Sequence, residues 1–130
     1  MITKEKEIEQ ACMASLDRFM MALNAHDAGA MDEEMHFPHV RLAEGRLVVY
    51  ERPGSNPMDL FTSLIQKSNW DHSIWTKRVP VQSSDTKVHW AVEYKRFTKD
   101  RTVIGTYDSL YVMTLKDGKW KIQIRSSFGP

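Results

Sequence analysis

The chain has 130 residues, of which 42% are hydrophobic and 27% are charged. This length suits one domain with a sizeable core, and the composition excludes both a disordered chain and a membrane protein. The 18 basic and 17 acidic residues give a formal net charge of +1 and are interspersed along the chain. We therefore expect a single domain over residues 1–130 that does not bind nucleic acid.

Targeting signals and disulfides are not expected. The first ten residues alternate charges and lack the apolar stretch of a secretion signal, and no apolar run is long enough to span a membrane. The one cysteine, Cys12, cannot form an internal disulfide, and its apolar neighbours at helical spacing favour a small core residue. These features predict a cytoplasmic protein with no membrane partner.

Hydrophobic periodicity predicts two helices at the start of the chain. Thr3 can cap a first helix that ends near residue 24. Its apolar stripe consists of Ile8, Cys12, Leu16, Phe19, Met20 and Leu23. Asp27 can cap a short second helix, which should stop at the Phe37-Pro38 step because the residue before proline disfavours helical angles. That helix would carry Met31 and Met35, one turn apart.

Two short strands and a third helix are predicted next. The strands span residues 39–43 and 46–51 and are joined at Glu44-Gly45. Pro57 suits the first turn of the third helix. Its expected buried face is formed by Leu60, Phe61, Leu64 and Ile65.

After Trp70 the hydrophobic pattern has period two to the end of the chain. Strands are predicted at 73–83, 87–97, 102–115 and 119–128, and the short links between them favour an antiparallel meander. The face expected to meet the helices carries Val88, Trp90, Val92, Tyr94, Trp120, Ile122, Ile124 and Phe128. The opposite, solvated face is expected to carry His89, Glu93, Lys95, Lys119, Lys121, Gln123 and Arg125.

The strand at 102–115 is apolar on both sides. Its even positions include Ile104, Leu110 and Val112, and its odd positions include Val103, Tyr107, Tyr111, Met113 and Leu115. Only one side can face the helices, so the other apolar side predicts a homodimer that forms through the outer sheet face. The alternative is that apolar residues are simply scattered on the surface.

Three helices followed by six strands, in this order and length, resemble the NTF2-like (cystatin-like) cone fold. Its members include ketosteroid isomerases and SnoaL-type polyketide cyclases. Local matches to ketosteroid isomerase are the segment Arg18 to Asp27 (RFMMALNAHD), Val92-Glu93-Tyr94, Tyr107-Asp108 and Arg125 to Gly129. The resemblance implies an α+β fold, in which three N-terminal helices pack in the concave face of a curved, mostly antiparallel six-stranded sheet.

The resemblance also implies candidate catalytic residues. Asp108 falls where the isomerase places an acid that hydrogen-bonds the developing oxyanion, and where SnoaL-type cyclases place an acid/base aspartate. Phe19 stands in place of the isomerase's oxyanion tyrosine and lacks its hydroxyl, and the general-base position falls near Ala43 or Glu44. The implied activity is that of a cofactor-free isomerase, cyclase or lyase.

The alternation of side chains along its strand also indicates Asp108 as a candidate, without reference to any family. It shares a side with Ile104 and Leu110, where a carboxylate would be desolvated and its pKa raised, which suits proton transfer next to a carbonyl group. Alternatively, Asp108 forms a structural ion pair with Arg41 or Arg125, or accepts backbone hydrogen bonds beside a bulge.

His39 and Arg41 share one side of the first strand. In the resembled fold this strand lines the pocket mouth, so both residues are candidates to orient a substrate and Arg41 to clamp a carboxylate or enolate oxygen. The alternative is a solvated strand face. The pair His36 and His39 is separated by Phe37-Pro38 and lacks further ligands, so no metal site is predicted.

Aromatic residues supply the candidate binding wall. Besides Phe19, these are Trp75, Trp90, Tyr94 and Phe128, which can either stack on a flat ligand or form core. Nucleophile-elbow and phosphate-loop motifs are absent from the sequence, so no cofactor is predicted. The hypothesis is a SnoaL-like domain that binds a small apolar or aromatic molecule and possesses an isomerase, cyclase or lyase activity. The alternative is a non-catalytic ligand-binding or dimerisation module.

Overall fold

A computed structural model describes all 130 residues and contains three helices and six strands. The helices are α1 (Lys4–Asn24), α2 (Ala28–Asp32) and α3 (Leu60–Ser68). The strands are β1 (Met35–Ala43), β2 (Arg46–Tyr50), β3 (His72–Ser83), β4 (Lys87–Phe97), β5 (Val103–Lys116) and β6 (Lys119–Ser127). No helix has the length and apolar character needed to cross a membrane.

The six strands form one curved sheet in the order β2-β1-β6-β5-β4-β3. Neighbouring strands are antiparallel except β1 and β6, which are parallel. The predicted meander of four long strands and the α+β class with a mostly antiparallel sheet are confirmed.

Helix α1 packs its apolar stripe on the sheet, as predicted. The hydroxyl of Thr3 accepts a hydrogen bond from the backbone N–H of Lys6 and caps the first turn. At the other end, Asn24 exchanges two hydrogen bonds of 2.8 Å with the backbone of Ser73, which fixes α1 to the start of β3. The core beneath α1 contains Cys12, Leu16, Phe19, Ala22, Met31, Met35, Val88, Trp90, Val92, Tyr111, Met113 and Ile122.

Strand β1 begins earlier than the sequence predicted. Asp27 caps α2 as expected, but that helix ends at Asp32, and Met35 is the first residue of β1 rather than part of the helix. Pro38 therefore lies inside a strand, where its missing N–H falls within the irregular stretch of the β1–β6 pairing. The helix stops early because pairing with β6, near the end of the chain, extends the backbone from Met35 onward.

Helix α3 lies over the sheet without entering the core. It starts at Leu60, three residues after Pro57, with Asp59 as its N-cap, and none of its residues is fully buried. Ile65, expected on the buried face, is exposed. The helix is held at one end by Phe61, whose ring stacks on His26 at the end of α1, with ring centroids 5.0 Å apart.

Each of the strands β5 and β6 contains one single-residue bulge, and the register with β4 sets which side of β5 faces the helices. Arg96 pairs with Gly105 and Phe97 with Val103, so Ile104 is an extra residue in β5. Beyond it, Tyr107, Ser109, Tyr111 and Met113 pair in regular register with the buried residues Tyr94, Val92, Trp90 and Val88 of β4 and face inward, whereas Asp108 faces outward and is exposed. The prediction that Asp108 lies on the inner face with Leu110 is therefore wrong.

The second bulge lies in β6. Met113 pairs with Ile122 and Val112 with Ile124, which leaves Gln123 as the extra residue. Beyond it the alternation reverses, so Arg125 is buried on the inner face, contrary to the predicted solvated position, and Ile124 turns outward. Phe128, predicted to face inward, is 84% exposed past the end of the strand.

Candidate functional site

A cavity of about 660 Å³ lies between α1, α3 and the inner face of the sheet. Its volume is in the range of small-molecule sites. The apolar wall includes Phe19, Met20, Leu23, Met31, Leu60, Leu64 and Trp75. Because α3 packs loosely, the space beneath it stays open instead of being filled by core side chains.

Edge-to-face aromatic contacts form one wall of this cavity. Tyr111 contacts Phe19 at a centroid distance of 6.5 Å and Trp75 at 5.7 Å, and Trp75 contacts Tyr94 at 6.0 Å. The indole N–H of Trp75 donates to the carbonyl of Leu16, so its orientation is fixed by α1. The wall is therefore preformed, and it offers ring faces and edges to an occupant.

Arg125 is a buried charged side chain of the cavity wall. It is 8% exposed, and its guanidinium lies 5.4 Å from the Phe19 ring centroid and 5.9 Å from that of Tyr50. Its Nε donates to His39 at 2.9 Å, and its two terminal nitrogens have no hydrogen-bond partner in the protein. Burial lowers the pKa of Arg125, because the protein around the guanidinium solvates its charge less well than water does.

His39 orients Arg125 from the side away from the cavity. The imidazole is fully buried, and its Nδ1 lies 3.0 Å from the carbonyl oxygen of Ile122. Because a guanidinium can only donate, Nε2 of His39 must accept and Nδ1 must carry the proton. Burial, followed by the charge of Arg125, lowers the pKa of His39 to about 3, so the ring is neutral at physiological pH.

Arg41 lies beside Arg125 on the neighbouring strand. The two residues are register partners in the parallel pair β1–β6, and both line the cavity. Arg41 is half-buried and makes no hydrogen bond or ion pair. By contrast, Arg96 is satisfied, because it donates to the main-chain oxygen of Pro130 at 2.5 Å and stacks 4.9 Å from the Tyr107 ring centroid.

Tyr111 places a hydroxyl group at the cavity. Burial raises its pKa to about 12, so the phenol is a neutral hydrogen-bond donor at physiological pH. The carboxylates that line the cavity, Glu44 and Asp59, are both exposed and therefore lie at its rim. The inner part of the cavity thus contains cationic and phenolic side chains but no acidic side chain.

The predicted site residues are divided between cavity, core and surface. Arg41, Phe19, Trp75 and Tyr94 lie on the cavity wall, as predicted, and their roles in binding remain predictions. His39 lies behind the wall and reaches the cavity only through Arg125.

Three predicted positions need correction. Asp108 is exposed on the outer face opposite Glu93 and pairs with neither Arg41 nor Arg125. Trp90 is 1% exposed, belongs to the core and does not line the cavity, which is the alternative left open above. Phe128 lies outside the cavity on the surface.

The sequence did not identify Arg125 and Tyr111 as cavity residues. Regular alternation placed Arg125 with the lysines of its strand, and the bulge at Gln123 reverses that assignment. The one sequence feature that could have indicated Tyr111 was the apolar character of both sides of β5, because it allows the side with Tyr111 to be the inner one. No cluster of three or more His, Cys, Asp or Glu residues capable of holding a metal ion is formed.

Comparison with known proteins shows the fold. A structure from Novosphingobium aromaticivorans, an NTF2-like protein with a cystatin-like fold, matches with a TM-score of 0.78 and 10% identity over 96% of this chain and 83% of its own. A protein of unknown function with a cystatin-like fold from Nostoc punctiforme gives 0.75 and 10% identity, with 92% and 89% covered. A Catenulispora acidiphila protein in complex with S-DNPA gives 0.74 and 13%, with 95% and 93% covered.

At identities of 10–13% this likeness is one of fold, and it extends over 92–96% of this chain. No protein-family model matches the sequence, and no curated protein matches it either. The chain therefore has the NTF2-like, cystatin-like fold, which confirms the resemblance at the level of architecture.

Proposed function

We propose that this chain is a small-molecule-binding protein of the SnoaL-like type, whose ligand occupies the cavity between α1, α3 and the sheet. The observation that carries the proposal is the open, aromatic-walled volume of about 660 Å³. In a domain of this size such a volume would otherwise be filled by core side chains, because protein interiors are closely packed. A similar protein from Catenulispora acidiphila is in complex with S-DNPA, which supports the use of this fold for ligand binding.

The geometry favours a flat, apolar ligand. Trp75 and Tyr111 present their rings to the cavity from the sheet, while Leu64 closes it from α3. A bicyclic aromatic molecule can stack against such a wall while its edges contact Leu64.

A filled-cavity variant tests this proposal. We expect Leu64→Trp to weaken binding of 2-naphthamide by about ten-fold or more, because the indole occupies the space beneath α3. The matched control is Met21→Trp, since Met21 is 70% exposed on α1 and does not line the cavity. Isothermal titration calorimetry measures both affinities, and equal binding by both variants would contradict the proposal.

A second candidate function is proton transfer of the isomerase, cyclase or lyase type. It is favoured because one cavity is lined by both a hydrogen-bond donor and a carboxylate. The neutral Tyr111 hydroxyl can bind a substrate carbonyl oxygen, and Glu44 at the rim can accept a proton. Asp108 has no part in this version, because it faces away from the cavity. For any substrate that is turned over, Glu44→Gln should lower kcat by about 100-fold or more while Glu51→Gln leaves it unchanged.

We also propose a homodimer that forms through the outer sheet face. Two rows of apolar residues cross this face from strand to strand. The first contains Val79, Ala91, Leu110, Leu42 and Leu47, with Ser126 of β6 between Leu110 and Leu42, and the second contains Val112, Ile124, Val40 and Val49. Several of these side chains are 40% or more exposed in one chain, so a second copy with the same rows would remove them from water.

Sedimentation equilibrium tests the dimer. Leu110→Glu places a charge in the centre of the apolar rows and should give a monomer at micromolar concentration. Met21→Glu, on the solvent side of α1, is the control and should remain dimeric. A wild-type protein that sediments as a monomer at all concentrations would refute this part of the proposal.

A further inference from the structure

We propose that the ligand of the cavity is an organic anion, and that Arg125, with Arg41 beside it, binds its carboxylate. This inference rests on the proposed binding function and names the chemical class of the ligand. It also assigns His39 a positioning role, because the imidazole directs the guanidinium of Arg125 without reaching the cavity itself.

Basic side chains outnumber acidic ones around the cavity. The side chains lining the cavity include five basic groups and two acidic ones. The basic residues are Arg41, Arg46, Lys67, Arg96 and Arg125, and the acidic residues are Glu44 and Asp59. The two acidic groups are exposed at the rim, whereas Arg125 is buried at the sheet, so the positive potential is greatest inside.

Arg125 lacks an acidic partner inside the protein. Buried charges in proteins are normally paired, and leaving a cation unpaired in a poorly solvated site is costly. Arg125 has no carboxylate partner, and its neighbour in register is a second cation, Arg41. An arrangement that is unfavourable in the empty protein becomes favourable when an anion lies between the two guanidinium groups.

The guanidinium of Arg125 is held in one orientation by the protein itself. Nε of Arg125 is held by His39, which is itself held by the Ile122 carbonyl, and the guanidinium lies near the rings of Phe19 and Tyr50. The terminal nitrogens of Arg125 are thereby fixed as free donors on the cavity wall. A planar carboxylate can accept from them, and the aromatic wall beside them can hold a flat apolar body.

Two probes with the same ring system separate charge from shape. We expect calorimetry to show that 2-naphthoate binds the wild-type protein at least about ten-fold more tightly than neutral 2-naphthamide. Arg125→Gln should remove this preference while leaving the naphthamide affinity within about two-fold. Arg41→Gln should reduce the preference in part, and Arg101→Gln, at an exposed turn away from the cavity, should retain it.

The outcomes distinguish the two proposals. If both probes bind the wild-type protein equally and Leu64→Trp weakens both, the cavity binds ligands but the anion assignment is wrong. If neither probe binds, or if Leu64→Trp changes nothing, the cavity proposal fails and this inference fails with it. Retention of the naphthoate preference in a folded Arg125→Gln protein would overturn the role of Arg125, and Arg41→Gln gives the same information should Arg125→Gln not fold.

His39 is tested through the same preference. His39→Leu should leave naphthamide binding within about two-fold but reduce the naphthoate preference, because the unsupported Arg125 guanidinium is no longer held in one orientation. His39→Asn, whose side-chain oxygen can accept from Nε of Arg125, should restore part of the preference. A purely structural histidine would instead change the affinity for both probes equally in the two variants.

Discussion

The Nε atom of Arg125 donates a hydrogen bond of 2.9 Å to Nε2 of His39, so a buried cation is supported by a neutral imidazole and not by a carboxylate. A carboxylate in the position of His39 would neutralise Arg125 within the protein. The imidazole fixes the orientation of the guanidinium and leaves its charge available to the cavity.

The first prediction concerns stability at acidic pH. Because the pKa of His39 falls to about 3 from an ordinary 6.5, its contribution to stability is fully present above pH 6.5 and is lost as the pH falls toward 3. Between pH 7 and pH 5 this single group should lower the free energy of unfolding by about 2 kcal/mol. Urea unfolding at the two pH values measures the loss.

The control for this effect is a non-titrating residue at the same site. His39→Gln should show a loss smaller by about 2 kcal/mol over the same pH interval, although its stability at pH 7 is lower. His89→Gln, on the outer face, should behave like wild type. An identical pH slope for wild type and His39→Gln would show that the ring is not held neutral.

The second prediction is that removal of Arg41 stabilises the empty protein. Two adjacent unpaired guanidinium groups repel one another, so Arg41→Gln should raise the free energy of unfolding by roughly 0.5–1 kcal/mol at low salt. In 1 M NaCl the gain should largely disappear, because the repulsion is screened. A lower melting temperature for Arg41→Gln than for Arg101→Gln at low salt would contradict this.

The third prediction concerns the loop that borders the cavity ahead of α3. The buried carboxylate of Asp32 accepts hydrogen bonds from the backbone of Gly54 at 2.8 Å and from the side chain of Asn56 at 3.1 Å. Asp32→Ala should release this loop and increase hydrogen exchange over residues 52–57, with no change in β4. Glu33→Ala, one residue further along and exposed, should leave the exchange pattern unaltered.

The fourth prediction concerns the junction of α1 with the segment between α2 and β1. The carboxylate of Glu34, which is 8% exposed, accepts from the Ser15 hydroxyl at 2.8 Å and from Nε of Arg18 at 2.9 Å. Glu34→Ala leaves these donors without a partner and should cost about 2–3 kcal/mol in urea unfolding. A double-mutant cycle with Ser15→Ala should give a coupling energy of about 1 kcal/mol, and additive effects would argue against a direct interaction.

The helix α1 and the long strands could be predicted because their hydrophobic periods extend over many residues. Three or more repeats of a stripe identify α1, and alternation of Val88, Trp90, Val92 and Tyr94 identifies the inner side of β4. The first residues of β1 could not be predicted, because Met35 lies one helical turn from Met31 and only its distant parallel pairing with β6 makes it extended.

Core and cavity residues could not be distinguished along the chain. Trp75 and Trp90 are both inward-facing tryptophans on neighbouring strands, and their sequence surroundings give no reason to separate them. Trp90 lies in the core with Cys12, whereas Trp75 borders the open space beneath α3. The position of α3, which no local pattern fixes, decides which of the two can meet a ligand.

The α+β architecture, the order of its elements and the aromatic character of the inner face could all be derived from the sequence, since each depends on local periodicity. Which charged residue faces the cavity depends instead on how the strands pair. The register of β5 with β4 places Asp108 on the outer side, and one extra residue in β6, Gln123, turns Arg125 inward. A strand side has a period of two residues, so a one-residue bulge reverses it, and such bulges are set by pairing between strands rather than by the residues within one.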